Sequence, residues 1–266
     1  MKRFLLLFVC IAIYIAAFAQ APKCSNIVHN TLPPDADNRS PSECEVQFDW
    51  KVRTTLRDAF SKTFQHFPSS DWVIADTAVE LLTQISKGTE KSFFRLNYNF
   101  KIDMAPQSAA YKDWYEKYQA AMQGLKAADE AAYKNFTRFG YRMNNAIHIS
   151  IFVTVNSVSH SVYFPKGGQQ IVTVPGAAFA VKGPNSPGQS KTDDVDACLI
   201  LFGNQKPSIK KESEGGASLY QLNNFPKNSS YLTVQNISVR IECNNELLNQ
   251  ILKDTDWKSI AYLIGK

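Results

Sequence analysis

After residue 21 the chain nowhere runs apolar for even ten residues, whereas a helix that crosses a membrane needs about twenty. No membrane span is therefore expected in the mature chain. Several chemistries lack their signatures as well. There is no His-Glu-x-x-His sequence, which removes the common zinc-peptidase helix, and no Gly-x-Ser-x-Gly nucleophile elbow. There is no glycine-rich phosphate loop and no dinucleotide fingerprint, so no cofactor is expected. Gly167-Gly168 and Gly215-Gly216 read as turns, because glycine tolerates positive φ. Dense basic runs are missing too. Removing Lys2 and Arg3 with a leader takes the 29 basic side chains to 27, against 24 acidic ones, a net charge of +3. So mild an excess argues against nucleic acid as a partner.

What the N-terminus does contain is an export signal. Met1, Lys2 and Arg3 are followed by an apolar run from Phe4 to Phe18, and Ala17-Phe18-Ala19 supplies a small-x-small cleavage pattern. Residues 1–19 are expected to be a signal peptide, with Gln20 opening a secreted or periplasmic protein. The mature chain keeps four of the five cysteines, Cys24, Cys44, Cys198 and Cys243. An even number in an exported chain reads as two disulfides, and Cys24–Cys44 and Cys198–Cys243 are the preferred pairings of three. Residues 20–49 are expected to be an extended, disulfide-stapled segment, and residues 50–266 one α+β domain.

Periodicity sets the fold class. Val52, Leu56, Ala59, Phe60, Thr63 and Phe67 recur at helical spacing, with Asp49 as a possible cap. Ile74, Ala78, Leu81, Leu82 and Ile85 do the same, which predicts an αα-hairpin around Pro68-Ser69-Ser70. The period then becomes two. Phe94, Leu96, Tyr98, Phe100 and Ile102 alternate with Arg95, Asn97, Asn99 and Lys101, a strand with one buried and one wet face. A long helix is expected over about 108–136, then a strand at 147–155 and a hairpin pairing 158–164 with 169–174. Short strands near 177–181, 197–202, 218–222 and 231–243 follow, separated by loops at 182–195 and 203–216, and two short helices close the chain. Strands in sequence without intervening helices pair antiparallel. The expected fold is α+β, a mainly antiparallel β-sheet with its helices, the long one included, on one face.

The candidate sites are few. His148 lies opposite the apolar positions of its strand, and His160 sits in the hairpin arm, so either could act as a base beside a carboxylate. The same positions suit a surface histidine with a hydrogen-bond partner. Asp193, Asp194 and Asp196 crowd one loop, as oxygen ligands for a cation do, but lack a calcium-loop layout and suit plain solvation equally. Trp114, Tyr115 and Tyr118 could form a stacking platform for a sugar or apolar ligand, with Arg95 and Asn97 on the wet face of the first strand. Core packing produces the same aromatic spacing. Asn-x-Ser/Thr sequons occur at Asn38, Asn135, Asn228 and Asn236.

With no catalytic motif, the first reading is a secreted or periplasmic binding or interaction protein whose partner is a small molecule, a glycan or a protein. A hydrolase built on a histidine–carboxylate pair is the alternative, so enzymatic activity stays open at this stage. A structural or inhibitory domain without a small ligand is the third reading.

Overall fold

The computed structural model describes residues 38–76, 85–86, 94–125, 146–157, 163–164, 169–184, 197–203, 208–211, 218–221 and 232–266. Its elements run β1 (Asn38–Arg39), α1 (Glu43–Gln65), β2 (Trp72–Asp76), β3 (Ile85–Ser86), β4 (Leu96–Met104) and α2 (Ala109–Leu125). Then come β5 (His148–Val155), β6 (Tyr163–Phe164), β7 (Gln170–Ile171), β8 (Phe179–Gly183) and β9 (Ala197–Gly203). The chain closes with β10 (Ser208–Lys211), β11 (Ser218–Gln221), β12 (Asn236–Glu242), α3 (Asn245–Asp254) and α4 (Trp257–Tyr262).

Seven strands form one antiparallel sheet in the order β2-β4-β5-β12-β9-β8-β7. The alternation read from β4 and β5 holds in three dimensions. Leu96, Tyr98, Phe100 and Ile102 sit beside Ile149, Ile151, Val153 and Val155 on one face, and Ile237, Val239 and Ile241 continue it. This face meets α1, α3 and α4, so the α+β architecture is as expected. The apolar stripe of α1, from Val52 to Phe60, is buried against the sheet. Phe60 joins Phe64, Phe100 and Trp257, and Trp257 also stacks on Phe202, so one aromatic group ties α1 and α4 to β4 and β9.

The helix α1 starts earlier than its periodicity implies. Ser42 is its N-cap, and a capping box links Ser42 with Glu45. Residues 43–49 are therefore helical instead of extended, and Asp49 lies inside the helix. Arg39 clamps Glu45 through two hydrogen bonds of 2.6 and 2.8 Å. Burial alone would raise the Glu45 carboxyl, but the hydrogen bonds from Arg39 and Ser42 prevail and hold it below its ordinary value. A depressed acid gives stability that is present above its unfolded value and lost as pH falls through the folded one. Glu45→Gln is thus expected to destabilise the protein by about 1–3 kcal/mol near neutral pH, a gap that closes in acid. Urea melts of both proteins across the acid range check this, and a gap that stays constant would contradict it.

Four expectations are corrected. Residues 72–76 form a strand on β4, so the second helix of the αα-hairpin does not exist there, and 77–84 lie outside the described residues. Five residues span too little chain for period alone to decide, and Val73 and Ile74 favour the pleated surface. Among the described residues nothing pairs 158–164 with 169–174: β6 pairs with β11, and β7 with β8, and 158–162 lie outside the described residues. Nearness in sequence was the main support for that hairpin. The loop at 203–216 contains β10, which pairs with β11. Of the long helix expected over about 108–136, Ala109–Leu125 is α2, and 126–136 lie outside the described residues.

The fourth correction concerns sulfur. Cys198 and Cys243 are reduced, buried thiols, and no two described cysteines lie within bonding distance. The register explains why: Cys198 faces Ile241, which puts Cys243 on the diagonal. Diagonal neighbours lie about 7–8 Å apart, beyond the span a disulfide closes easily. The Cys198 thiol is pushed up to about 12 by burial, with Lys182 acting in the opposite sense, so it is an inert core side chain. Cys24 lies outside the described residues.

Candidate functional site

On the sheet face opposite α1, α3 and α4, the register sets Asn97, Thr154 and Ser238 in one row and Asn99, Phe152 and Arg240 in the next. Lys101, Ser150 and Glu242 form a third row, and Asp103 and His148 end the series. His148 was expected on this face, and its partner is a carboxylate: Nδ1 lies 2.8 Å from Asp103 Oδ1, both side chains half-exposed. A carboxylate on Nδ1 orients the ring and leaves Nε2 toward solvent, as a general base requires. Arg240 and Glu242 pair on the same face, and Phe152 is exposed among these polar groups.

Other expected residues are scattered. Arg95 and Asn97 are exposed. Trp114, Tyr115 and Tyr118 lie on α2, where Trp114 stacks on Tyr118 at 5.5 Å between ring centroids and Tyr111 stacks on Tyr115. Ser108 caps this helix, accepting a hydrogen bond from the Tyr111 N–H. His160, Asp193, Asp194 and Asp196 lie outside the described residues. Among the described residues no three His, Cys, Asp or Glu side chains are placed to hold a metal ion, and no described helix is long and apolar enough to cross a membrane.

A concave feature lies elsewhere, at residues the sequence does not single out. A groove of about 530 Å³ runs between the outer side of α1 and the edge strand β2, lined by Trp50, Thr54, Arg57, Asp58, Ser61, Phe64 and Ile74. Trp50 is 59% exposed on its rim, and Ile74 is 38% exposed at the sheet edge. The spacing from Trp50 through Thr54, Arg57, Asp58 and Ser61 repeats on one helix stripe, next to but distinct from the buried stripe. That offset was legible: a tryptophan outside the apolar face of an amphipathic helix has no core to enter. The other wall of the groove is β2, where helical spacing predicts a helix and the chain forms a strand. The arrangement combines an aromatic plate, two opposite charges and two hydroxyls around an apolar floor.

A buried polar group lies beneath the groove's helix. Asp49, Arg53 and Tyr98 are all nearly inaccessible. Arg53 Nη2 donates to Asp49 Oδ2 at 2.6 Å, the Tyr98 hydroxyl donates to Asp49 Oδ1 at 2.7 Å, and the Arg53 guanidinium lies 5.9 Å from the Tyr98 ring centre. Burial, reinforced by the Asp49 carboxylate, holds the Tyr98 hydroxyl well above its ordinary value and keeps it a donor. This group fixes α1 on β4, and so fixes one wall of the groove. Comparisons with known families, with curated proteins and with solved structures find no match for this chain.

Proposed function

We propose that this chain is an exported binding protein whose ligand occupies the groove between α1 and β2. The observation that carries the reading is Trp50, a large aromatic side chain 59% exposed at the rim of a groove that also holds Arg57 and Asp58. Exposing an indole beside an ion-rich wall has a solvation cost that a ligand relieves. Export is likewise proposed, from the Phe4–Phe18 apolar run and the Ala17-Phe18-Ala19 pattern.

One observation favours a second reading. The His148–Asp103 pair is a base with its orienting acid, and a hydrolase would use it to activate water. It stands on a sheet face with Lys101 and Ser150 in the neighbouring row.

A single set of variants separates the two. Short peptides, glycosides and small aromatic acids are titrated against wild type, Trp50→Phe, Trp50→Ala and His148→Ala, following tryptophan fluorescence. At least one class is expected to alter the signal that disappears in Trp50→Phe. Trp50→Ala should weaken its binding about tenfold or more, with His148→Ala neutral. A response unchanged in both Trp50 variants would remove the groove as the site. Ester turnover lost in His148→Ala and kept in Trp50→Ala would establish the hydrolase instead.

A further inference from the structure

The seven-stranded sheet has two edges of different character. At one end β7 is only two residues long, and a very short edge strand is a standard protection against stray pairing. At the other end β2 runs Trp-Val-Ile-Ala-Asp, with no proline, no lysine and no arginine. Among the described residues it pairs with β4 alone. Val73, Ile74 and Ala75 are all exposed. By the rules that blunt sheet edges, this one is open.

The hydrogen-bond phase says which groups the edge offers. The Ala105 N–H donates to the Asp71 carbonyl at 2.7 Å, and these residues face each other at the start of the β2–β4 ladder. Antiparallel pairs alternate between bonded and non-bonded positions. Val73 and Ala75 therefore turn their backbone groups toward β4, and Ile74 turns both its N–H and its C=O outward. The far side of β4 agrees, because the Met104 N–H donates away from β2, to the Ile147 carbonyl. The Ile74 side chain lines the groove with Trp50 and Phe64. A residue of an added strand that bonds both Ile74 backbone groups would place its own side chain on the same face, about 5 Å away, against the groove.

From this we infer that β2 and the α1 groove form one docking site for an extended peptide segment of a partner protein, bound by strand addition. The segment exchanges two main-chain hydrogen bonds with Ile74, sets one large apolar or aromatic side chain against Phe64, and continues along the groove toward Trp50, which lies roughly 20 Å further along α1. Arg57 and Asp58 lie along the same groove and select polar or oppositely charged residues beside that anchor. This is the strand-addition mode of recognition, with affinity from the backbone and specificity from the pocket. The inference rests on the groove being the binding site and names the class of ligand it takes. A second copy of the chain fits less well. A strand of five residues spans about 17 Å, and pairing it with its own copy would bury a few hundred Å², well short of the roughly 1,200 Å² of a stable interface.

The test uses a short capped peptide of alternating threonine and valine with a central phenylalanine, and the same peptide N-methylated at that phenylalanine. Backbone amide exchange is followed by NMR on the whole protein. The peptide is expected to slow exchange at Ile74 by tenfold or more, leaving Val73 and Ala75, already bonded to β4, unchanged. N-methylation should weaken binding at least tenfold, and Trp50→Ala should weaken it similarly. Ile74→Pro removes an outward N–H that β4 does not use, so the edge tolerates it; it should abolish peptide binding, and the N-methyl comparison on wild type stands whether or not that variant folds. Binding that depends on Trp50 but ignores N-methylation and leaves Ile74 unprotected would overturn strand addition and retain the groove. Peptide binding indifferent to Trp50 would overturn both. A concentration-dependent dimer that protects Ile74 without peptide would make a second copy the occupant and likewise overturn the proposal.

Discussion

Asp49→Ala is expected to cost about 3–5 kcal/mol of unfolding free energy, because it strands a buried cation. Arg53 is nearly inaccessible and its Nη2 bonds the Asp49 carboxylate at 2.6 Å. Its Nε is buried with no hydrogen-bond partner. Removing the acid leaves the guanidinium without its counter-charge and the Tyr98 hydroxyl without its 2.7 Å acceptor. The origin of the loss is checked by adding changes. Arg53→Met in the Asp49→Ala background should restore part of the stability, since an uncompensated charge costs more than a missing pair. Tyr98→Phe should restore more by removing the orphaned hydroxyl. Urea unfolding of the single, double and triple variants reads this directly. A cost for Asp49→Ala below about 1 kcal/mol, the range of ordinary surface changes, would mean that Arg53 reaches water by another route.

The second large effect separates two tryptophans. Trp257→Ala is expected to cost about 3–5 kcal/mol through lost burial and the cavity left behind. The ring meets Phe60 edge-on at 5.9 Å and Phe202 nearly parallel at 6.2 Å, and its Nε1–H donates to the Leu252 carbonyl at 2.8 Å. Its removal loosens α4 from both α1 and β9. Trp50→Ala, on the exposed rim of the groove, should change stability by less than about 0.5 kcal/mol. Thermal or denaturant melts of the two variants decide the matter. Equal losses would show that Trp50 packs as core and would undercut the groove as a ligand site.

How far the sequence disclosed this structure depends on how many neighbours each pattern had to satisfy. β4 and β5 were legible because nine and eight residues of strict alternation fit no helix. The apolar stripe of α1 was legible for the same reason in period 3.6. The start of that helix was not, because Asp49 resembles a cap and stands nearer the apolar stripe than the Ser42–Glu45 capping box. β2 was misread because Ile74 sits at helical spacing from Ala78, and a five-residue strand cannot outvote that coincidence. The cysteine pair failed on register, a quantity that exists only once β9 and β12 are side by side. Of the candidate sites, His148 could be placed on the face opposite the Ile149–Ile151 row from alternation alone, but Asp103 as its partner required the β4–β5 pairing. The groove required two elements, one of them misassigned, and so could not be assembled from the sequence. The backbone phase that aims Ile74 outward is still less visible, since no side chain encodes it.

Asn236 has a bearing on how the protein is made. Its side-chain amide is buried, accepting from the Ser157 N–H at 3.0 Å and donating to the Ser157 carbonyl at 3.2 Å. Beside it Asn156 holds a left-handed backbone at φ 57°, bonding the Phe94 and Thr233 carbonyls and the Gln235 N–H. Gly203, at φ 121°, lies so close that a Cβ there would sit 2.7 Å from the Gln235 carbonyl oxygen. There is no room at this junction for a sugar on the Asn236 nitrogen, yet Asn-Ile-Ser is an acceptor sequence. In a host that attaches glycans during translocation, the transferase and the closing sheet compete for one nitrogen, and the winner is decided once for each molecule. Chains that close first are permanently out of reach of the enzyme, and chains caught first cannot dock β12 against the loop after β5. For a chain exported as proposed above, secreted yield in such a host becomes a clock for the rate at which the centre of the sheet assembles.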